Sequence, residues 1–318
     1  MSAAGRRGVR PLARRATCAT LSRARLGAGL VALAIVIALV SCTRPARSPD
    51  VTARNPGTPV DSATVALWRM DETGGTRVAD AGPHHLDAVA GLETRTVFGR
   101  FAQARQFGRS NDSFLYVAPN PALDATGPLT IDCWVDLATY SPYEASPIAA
   151  RWSPSTIERS WIFAIVGSNL DPSLWPSDLG QPPGPQWLAP YVKDAGEGRL
   201  LFLYQPADAG MPLAFSSLTR LPLNRWTLVA VTFDGQTVRF WVDGRSDGTY
   251  AVPAGLRSSQ APLLVGNLFD TRFLTDFGGD LRQGPAGDAK PWYAFEGGID
   301  ELRISNVART LFPLHGGK

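Results

Sequence analysis

Two runs of alternating residues hold the side chains best suited to gripping a ligand. Along Thr130 to Asp136, one side of an extended chain carries Ile131, Cys133 and Val135, and the other carries Thr130, Asp132, Trp134 and Asp136. Along Thr237 to Asp243 the apolar set is Val238, Phe240 and Val242, opposite Thr237, Arg239, Trp241 and Asp243. A sugar ring binds by laying an apolar face on an aromatic while polar neighbours hold its hydroxyls. Asp132, Trp134, Arg239 and Trp241 supply both parts of such a site. Two stretches rich in proline or glycine, Ser168 to Gly198 and Phe269 to Ala294, offer Trp187 and Trp292 as further walls of one groove, and long loops in a compact domain are commonly functional. The same tryptophans would equally form a second small core if those loops covered them.

Catalysis is poorly provided for. Retaining glycoside hydrolysis needs an acid and a nucleophile about 5 Å apart on one face. No Glu-x-Asp-x-Glu run occurs, and Asp132 and Asp136 are too far apart along a strand to act as that pair. Gly244-Arg-Ser-Asp-Gly248 has the letters of a nucleophile elbow, which requires a strand, a strained turn and a helix. Its flanks read as strands, so Ser246 belongs to a hairpin turn. The three histidines, His84, His85 and His315, lack the company that a zinc site wants.

The elements that must position these residues are strands. Period-two alternation recurs almost throughout, as in Val229, Val231 and Phe233 against Ala230, Thr232 and Asp234. Asp234-Gly235 between two such runs is the clearest hairpin signal. Stripes at helical spacing are missing, and 26 prolines with 31 glycines break the chain too often for long helices. An all-β, two-sheet antiparallel sandwich is the natural way to bury so many one-sided strands. Cys133 reads as a small buried hydrophobe among them.

The amino end is different in kind. Residues 1–41 hold seven arginines and no acidic residue around an apolar run, Leu26 to Val40, which predicts an export signal. Its 15 residues fall short of the roughly 20 needed to span a bilayer. The run closes on Leu39-Val40-Ser41-Cys42, which resembles a bacterial lipobox and implies lipidation of Cys42 with cleavage before it. Residues 42–61, with four prolines in Thr43 to Asp61, read as a tether, and 62–312 as the folded domain. Losing those seven of 31 basic residues leaves 24 against 28 acidic ones, so nothing favours nucleic acid as a partner.

The domain also resembles the bacterial laminin-G-like jelly rolls of the concanavalin A-like lectin/glucanase type. Val65-Ala-Leu-Trp-Arg-Met-Asp-Glu-Thr-Gly-Gly-Thr-Arg-Val-Ala-Asp80 is similar to their opening strand and turn, and Phe98-Gly-Arg-Phe-Ala-Gln-Ala-Arg-Gln-Phe-Gly108 to a second signature. Leu129 to Val135, Asn224 to Gly235 with Val238 to Gly244, and Phe295 to Ile304 follow in the expected order. The resemblance implies two curved antiparallel sheets of about a dozen strands, a ligand on the concave face or rim, and often a calcium ion. Terminal strands pair in this fold, so Asp71 and Asp300 are expected to meet and could hold Ca2+, with Asp80 joining from the next turn. Alternatively these aspartates bond their own turn backbone. The sequence thus predicts an exported, membrane-anchored lipoprotein at the bacterial surface or periplasm that binds a glycan. The alternatives are a protein-binding or adhesion module and, less well supported, a glycan-active enzyme.

Overall fold

The computed structural model describes residues 57–154, 156–168, 195–208, 210–277, 280–283 and 293–314. Two antiparallel sheets of eight strands each face one another. The first sheet contains β1 (Thr64–Trp68), β4 (Arg95–Phe98), β5 (Gln103–Phe107), β7 (Leu129–Leu137), β12 (Trp226–Phe233), β13 (Thr237–Val242), β14 (Arg245–Ala251) and β18 (Gly297–Ser305). Its order is β14-β13-β12-β7-β18-β5-β4, and β1 pairs the far half of β18. The second sheet contains β2 (Arg77–Val78), β3 (Ala88–Ala90), β6 (Leu115–Val117), β8 (Ala145–Trp152), β9 (Arg159–Val166), β10 (Leu200–Tyr204), β11 (Leu213–Ser216) and β15 (Leu263–Val265). Its order is β11-β10-β9-β8-β15-β6-β3-β2. A separate hairpin joins β16 (Leu274–Phe277) to β17 (Asp280–Gln283).

This is the all-β sandwich that the alternation predicts. Ile131, Cys133 and Val135 of β7, Val229, Val231 and Phe233 of β12, and Val238 and Phe240 of β13 enter one core with Trp161, Phe163, Phe202 and Tyr204 of the second sheet. Burial there pushes the Cys133 thiol well above its ordinary pKa, so the residue is an inert hydrophobe. The β12–β13 hairpin turns at Gly235 with φ +94°. Asp234 Oδ1 accepts the N–H groups of Gln236 at 2.8 Å and Thr237 at 2.6 Å, which closes the loop. Ser246 lies exposed at the start of β14, just after a turn through Asp243 and Gly244, both left-handed.

The strands outnumber the dozen expected. Among the described residues the surplus includes β2, β3, β4, β6 and β15, of two to four residues each, too short to display a period. Among the described residues no helix is long and apolar enough to cross a membrane.

Both ends of the described chain return to the outer face of the first sheet. Thr58 N–H donates to Glu301 Oε2 at 2.7 Å, Arg303 Nη1 donates to the Pro59 carbonyl at 3.1 Å, and Asp61 pairs with Arg309 at 2.6 Å. Residues 57–61, grouped with the tether on composition, therefore pack on the domain.

Candidate functional site

Trp134 on β7 and Trp241 on β13 share the outer face of the first sheet, one strand apart across β12. They are only 5 % and 8 % exposed, because Phe101, Leu228, Ala230 and Phe312 pack with them into a second cluster. Phe101 meets Trp134 edge-on at 5.9 Å, and Phe312 tilts over Trp241 at 5.1 Å. Arg100 lies 4.6 Å above Trp134 and Arg239 lies 5.7 Å from Trp241. The second-core alternative describes this face, with the cover coming from the β4–β5 turn and the carboxyl-terminal segment. Space of about 20 Å³ remains beside Trp134, room for one water and far too little for a sugar ring.

Asp132 is also engaged within the protein. Arg303 Nε and Nη2 each donate to it at 3.0 Å, and both side chains are under 5 % exposed. Burial pushes the Asp132 carboxyl up while Arg303 draws it back. A guanidinium that fills both carboxylate oxygens leaves little for a ligand. Trp187 and Trp292 lie outside the described residues, as does Cys42.

The predicted meeting of the terminal strands occurs: β1 pairs β18 from Thr64↔Ser305 to Trp68↔Leu302. Beyond Trp68 the neighbour of β18 changes from β1 to β5, and β18 bulges between Asp300 and Arg303, with Glu301 at φ +54°. Two carboxylates reach the β4–β5 hairpin there. Asp300 Oδ2 accepts the Phe101 N–H at 2.9 Å, and Asp71 Oδ1 accepts the Gln103 N–H at 3.1 Å. Asp300 is fully buried, its Oδ1 has no partner, and its pKa is pushed up to about 8 by burial, with repulsion from Glu301 and Asp71 adding to it. Oxygen-only chemistry of this kind suits a hard cation. Asp80 does not join them: its Oδ1 accepts the N–H groups of Leu67 and Gly82 and its Oδ2 that of Leu86, at 2.7 to 2.8 Å, so it organises its own turn. Among the described residues no group of three or more His, Cys, Asp or Glu side chains is arranged to hold a metal.

A roomier feature lies at the edge of the sandwich. There β4 of the first sheet faces β2 and β3 of the second, and the turns Thr73–Thr76 and Gly91–Thr94 form the walls of a cleft of about 420 Å³. That is within the range of about 300 to 1,000 Å³ of small-ligand sites. Arg105 forms its floor, directly across from Thr96 on one side and Ile299 on the other. Ile299 belongs to the main core, so Arg105 points into the sandwich. It is 3 % exposed, its Nε has no partner, and Nη1 and Nη2 reach only the Gly75 carbonyl, at 3.4 Å each. Sequence reasoning passed over this residue. The available signal was a cation at the inward position of the run Gln103, Arg105, Phe107, where a core residue belongs.

Two eight-stranded antiparallel sheets packed on one core make the domain a jelly-roll sandwich. The family model described as the concanavalin A-like lectin/glucanases superfamily matches residues 109–311, and the chain belongs to that superfamily. A search of curated proteins finds no match. Among solved structures, the chain is similar to the binding domain of Paraclostridial Mosquitocidal Protein 1 (10 % identity, TM-score 0.49, 78 % of this chain and 49 % of that one). It is similar to domain 4 of an extracellular arabinanase from Geobacillus stearothermophilus, solved in complex with arabinotriose (15 %, 0.46, 79 % and 94 %). A third is the binding domain of botulinum neurotoxin DC in complex with rat synaptotagmin II (10 %, 0.48, 79 % and 50 %). The chain thus spans about half the length of the first and third of these.

Proposed function

We propose that this protein is a non-catalytic carbohydrate-binding module, exported and held at the bacterial membrane by lipid on Cys42. The observation that carries the reading is the edge cleft, which is large enough for a sugar residue and lined by threonines, glycines and two arginines. Among the described residues its lining holds no carboxylate to serve as the acid or nucleophile that glycoside hydrolysis requires. Membership of a lectin and glucanase superfamily agrees with a glycan as ligand. Calcium belongs to the same proposal at Asp71 and Asp300, where the partnerless Asp300 Oδ1 offers a hard oxygen ligand once the carboxyl gives up its proton.

A glycan array probed with the full chain in mild detergent tests the function. Binding to a defined set of saccharides without their cleavage is the expected result. Hydrolysis of a bound glycan would make the protein an enzyme, and a blank array beside capture of a surface protein would favour adhesion.

A further inference from the structure

Arg105 is a cation without an adequate partner. A buried guanidinium has five N–H donors to satisfy, and leaving such donors unpaired is costly. Here one donor has no acceptor and two share a single carbonyl at the long distance of 3.4 Å. Burial lowers the Arg105 pKa from its ordinary value, and Glu72 opposes that shift from nearby. Among the described residues, however, no carboxylate comes within ion-pair distance of Arg105; Glu72 gives Oε1 to the Ala79 N–H at 2.8 Å, and its Oε2 is buried without a partner. The under-coordinated cation therefore lies at the floor of an open cleft, and the exposed Arg95 stands at its rim.

The rest of the cleft specifies what kind of anion fits. Its walls carry the hydroxyls of Thr73, Thr76, Thr94 and Thr96; those of Thr94 and Thr96 donate to the Gly91 and Glu72 carbonyls at 3.0 and 3.1 Å and keep their oxygens as acceptors for a ligand rich in hydroxyls. Phe98 lies two residues beyond Thr96 on β4, about 7 Å along the strand. It is 88 % exposed, the most exposed of the large hydrophobic side chains described, and is free to stack on a ring. Gly74 and Gly75 form the mouth, where an added Cβ would meet nothing within 4 Å. A planar guanidinium matches a planar carboxylate through two parallel hydrogen bonds.

We infer that the edge cleft binds an acidic saccharide, with the carboxylate of a uronic acid residue on Arg105, its hydroxyls among the threonines and a neighbouring ring on Phe98. This rests on the glycan reading above and narrows it to a substrate class.

The test uses the full chain in mild detergent, an oligogalacturonate, its methyl ester and a neutral oligosaccharide of equal length, with affinities from calorimetry. Esterification removes the charge and leaves the sugar rings. The acid is expected to bind at least about tenfold more tightly than the ester, the usual worth of a charge-assisted hydrogen bond. Arg105→Gln should erase that preference. Since Arg105 is buried and its replacement could unfold the chain, Gly74→Trp provides a second route, filling the mouth from an unobstructed position and abolishing binding while the melting temperature holds. Equal affinity for acid and ester, or binding indifferent to Gly74→Trp, overturns the inference and leaves glycan binding standing. Silence toward every saccharide sinks both. A carboxylate peptide that binds as tightly as the uronate would show that the site reads the anion and not the sugar, and would also overturn it.

Discussion

Asp132 and Arg303 show how the outer face of the first sheet can carry charge and still be closed. As a rule, a side facing only a core does not hold so many charged residues. The pair evades it by bonding in parallel at 3.0 Å twice, beneath the Pro59 carbonyl. Breaking one half of such a pair strands the other, so Asp132→Ala should cost about 3–5 kcal/mol. Replacing both residues by apolar ones of similar size should recover most of that loss in a urea melt, and a double variant no better than the single would refute the account. Asp300 carries a second prediction, because its pKa is raised from 3.8 to about 8. A carboxyl that holds its proton more tightly when folded favours the fold at low pH. Stability should therefore fall as pH rises from about 4 and level off above about 8. Asp300→Asn should flatten that slope. Calcium competes with the proton for the same oxygens, so it should raise the wild-type melting temperature more at pH 8 than at pH 6 and leave the variant unmoved. Superimposable melts with calcium and with chelator would assign Asp300 to the proton alone.

At the scale of strands and turns, legibility followed length. The face assignments of β7, β12 and β13 could be read directly, because six to nine residues show a period and a one-residue slip would turn every side chain over. The two to four residues of β2, β3 and β4 show none, yet these strands and their turns build the edge cleft. The cover on Trp134 and Trp241 was equally hidden. Phe101 sits in a tight turn and Phe312 in a carboxyl-terminal segment without periodicity, and that turn is held by Asp300 and Asp71 through the N–H groups of Phe101 and Gln103. Trp134 and Trp241 lie on a common face of the sheet; what alternation could not supply was the segment lying on top. Trp241→Ala should accordingly lower stability by about 3 kcal/mol, as core tryptophans do. Phe312→Ala should cost about 2 kcal/mol, less because water can refill a peripheral site. Neither should alter ligand binding, since Arg105 lies on the opposite face of the sheet. Loss of binding with unchanged stability in Trp241→Ala would return the site to the tryptophans.

For the whole molecule, the charge balance and the amino end bear on where the protein works. The chain carries a formal +3, and the arginines of residues 1–41 account for more than all of that excess. A mature form starting at Cys42 would be net negative while keeping Arg95 and Arg105 together at one cleft. An acidic glycan would then be drawn to the cleft and repelled elsewhere, so raising the salt concentration should weaken its binding. Stable presentation of that cleft at a membrane, as proposed, would require an anchor stronger than one acyl chain, which alone gives marginal, reversible attachment. A diacylglyceryl group on the Cys42 thiol, as proposed, would supply at least two chains, and the proline-containing segment that follows would hold the domain off the bilayer. Cells fed labelled palmitate should incorporate it into the wild-type protein, which should partition into the detergent phase on cloud-point separation. Cys42→Ala should take up no label and stay in the aqueous phase, while its described domain, far from the substitution in sequence, melts as before. Equal labelling of both forms would remove the lipid anchor, and an unlabelled wild type that still enters detergent would point to an uncleaved apolar run from Leu26 to Val40 as the anchor instead.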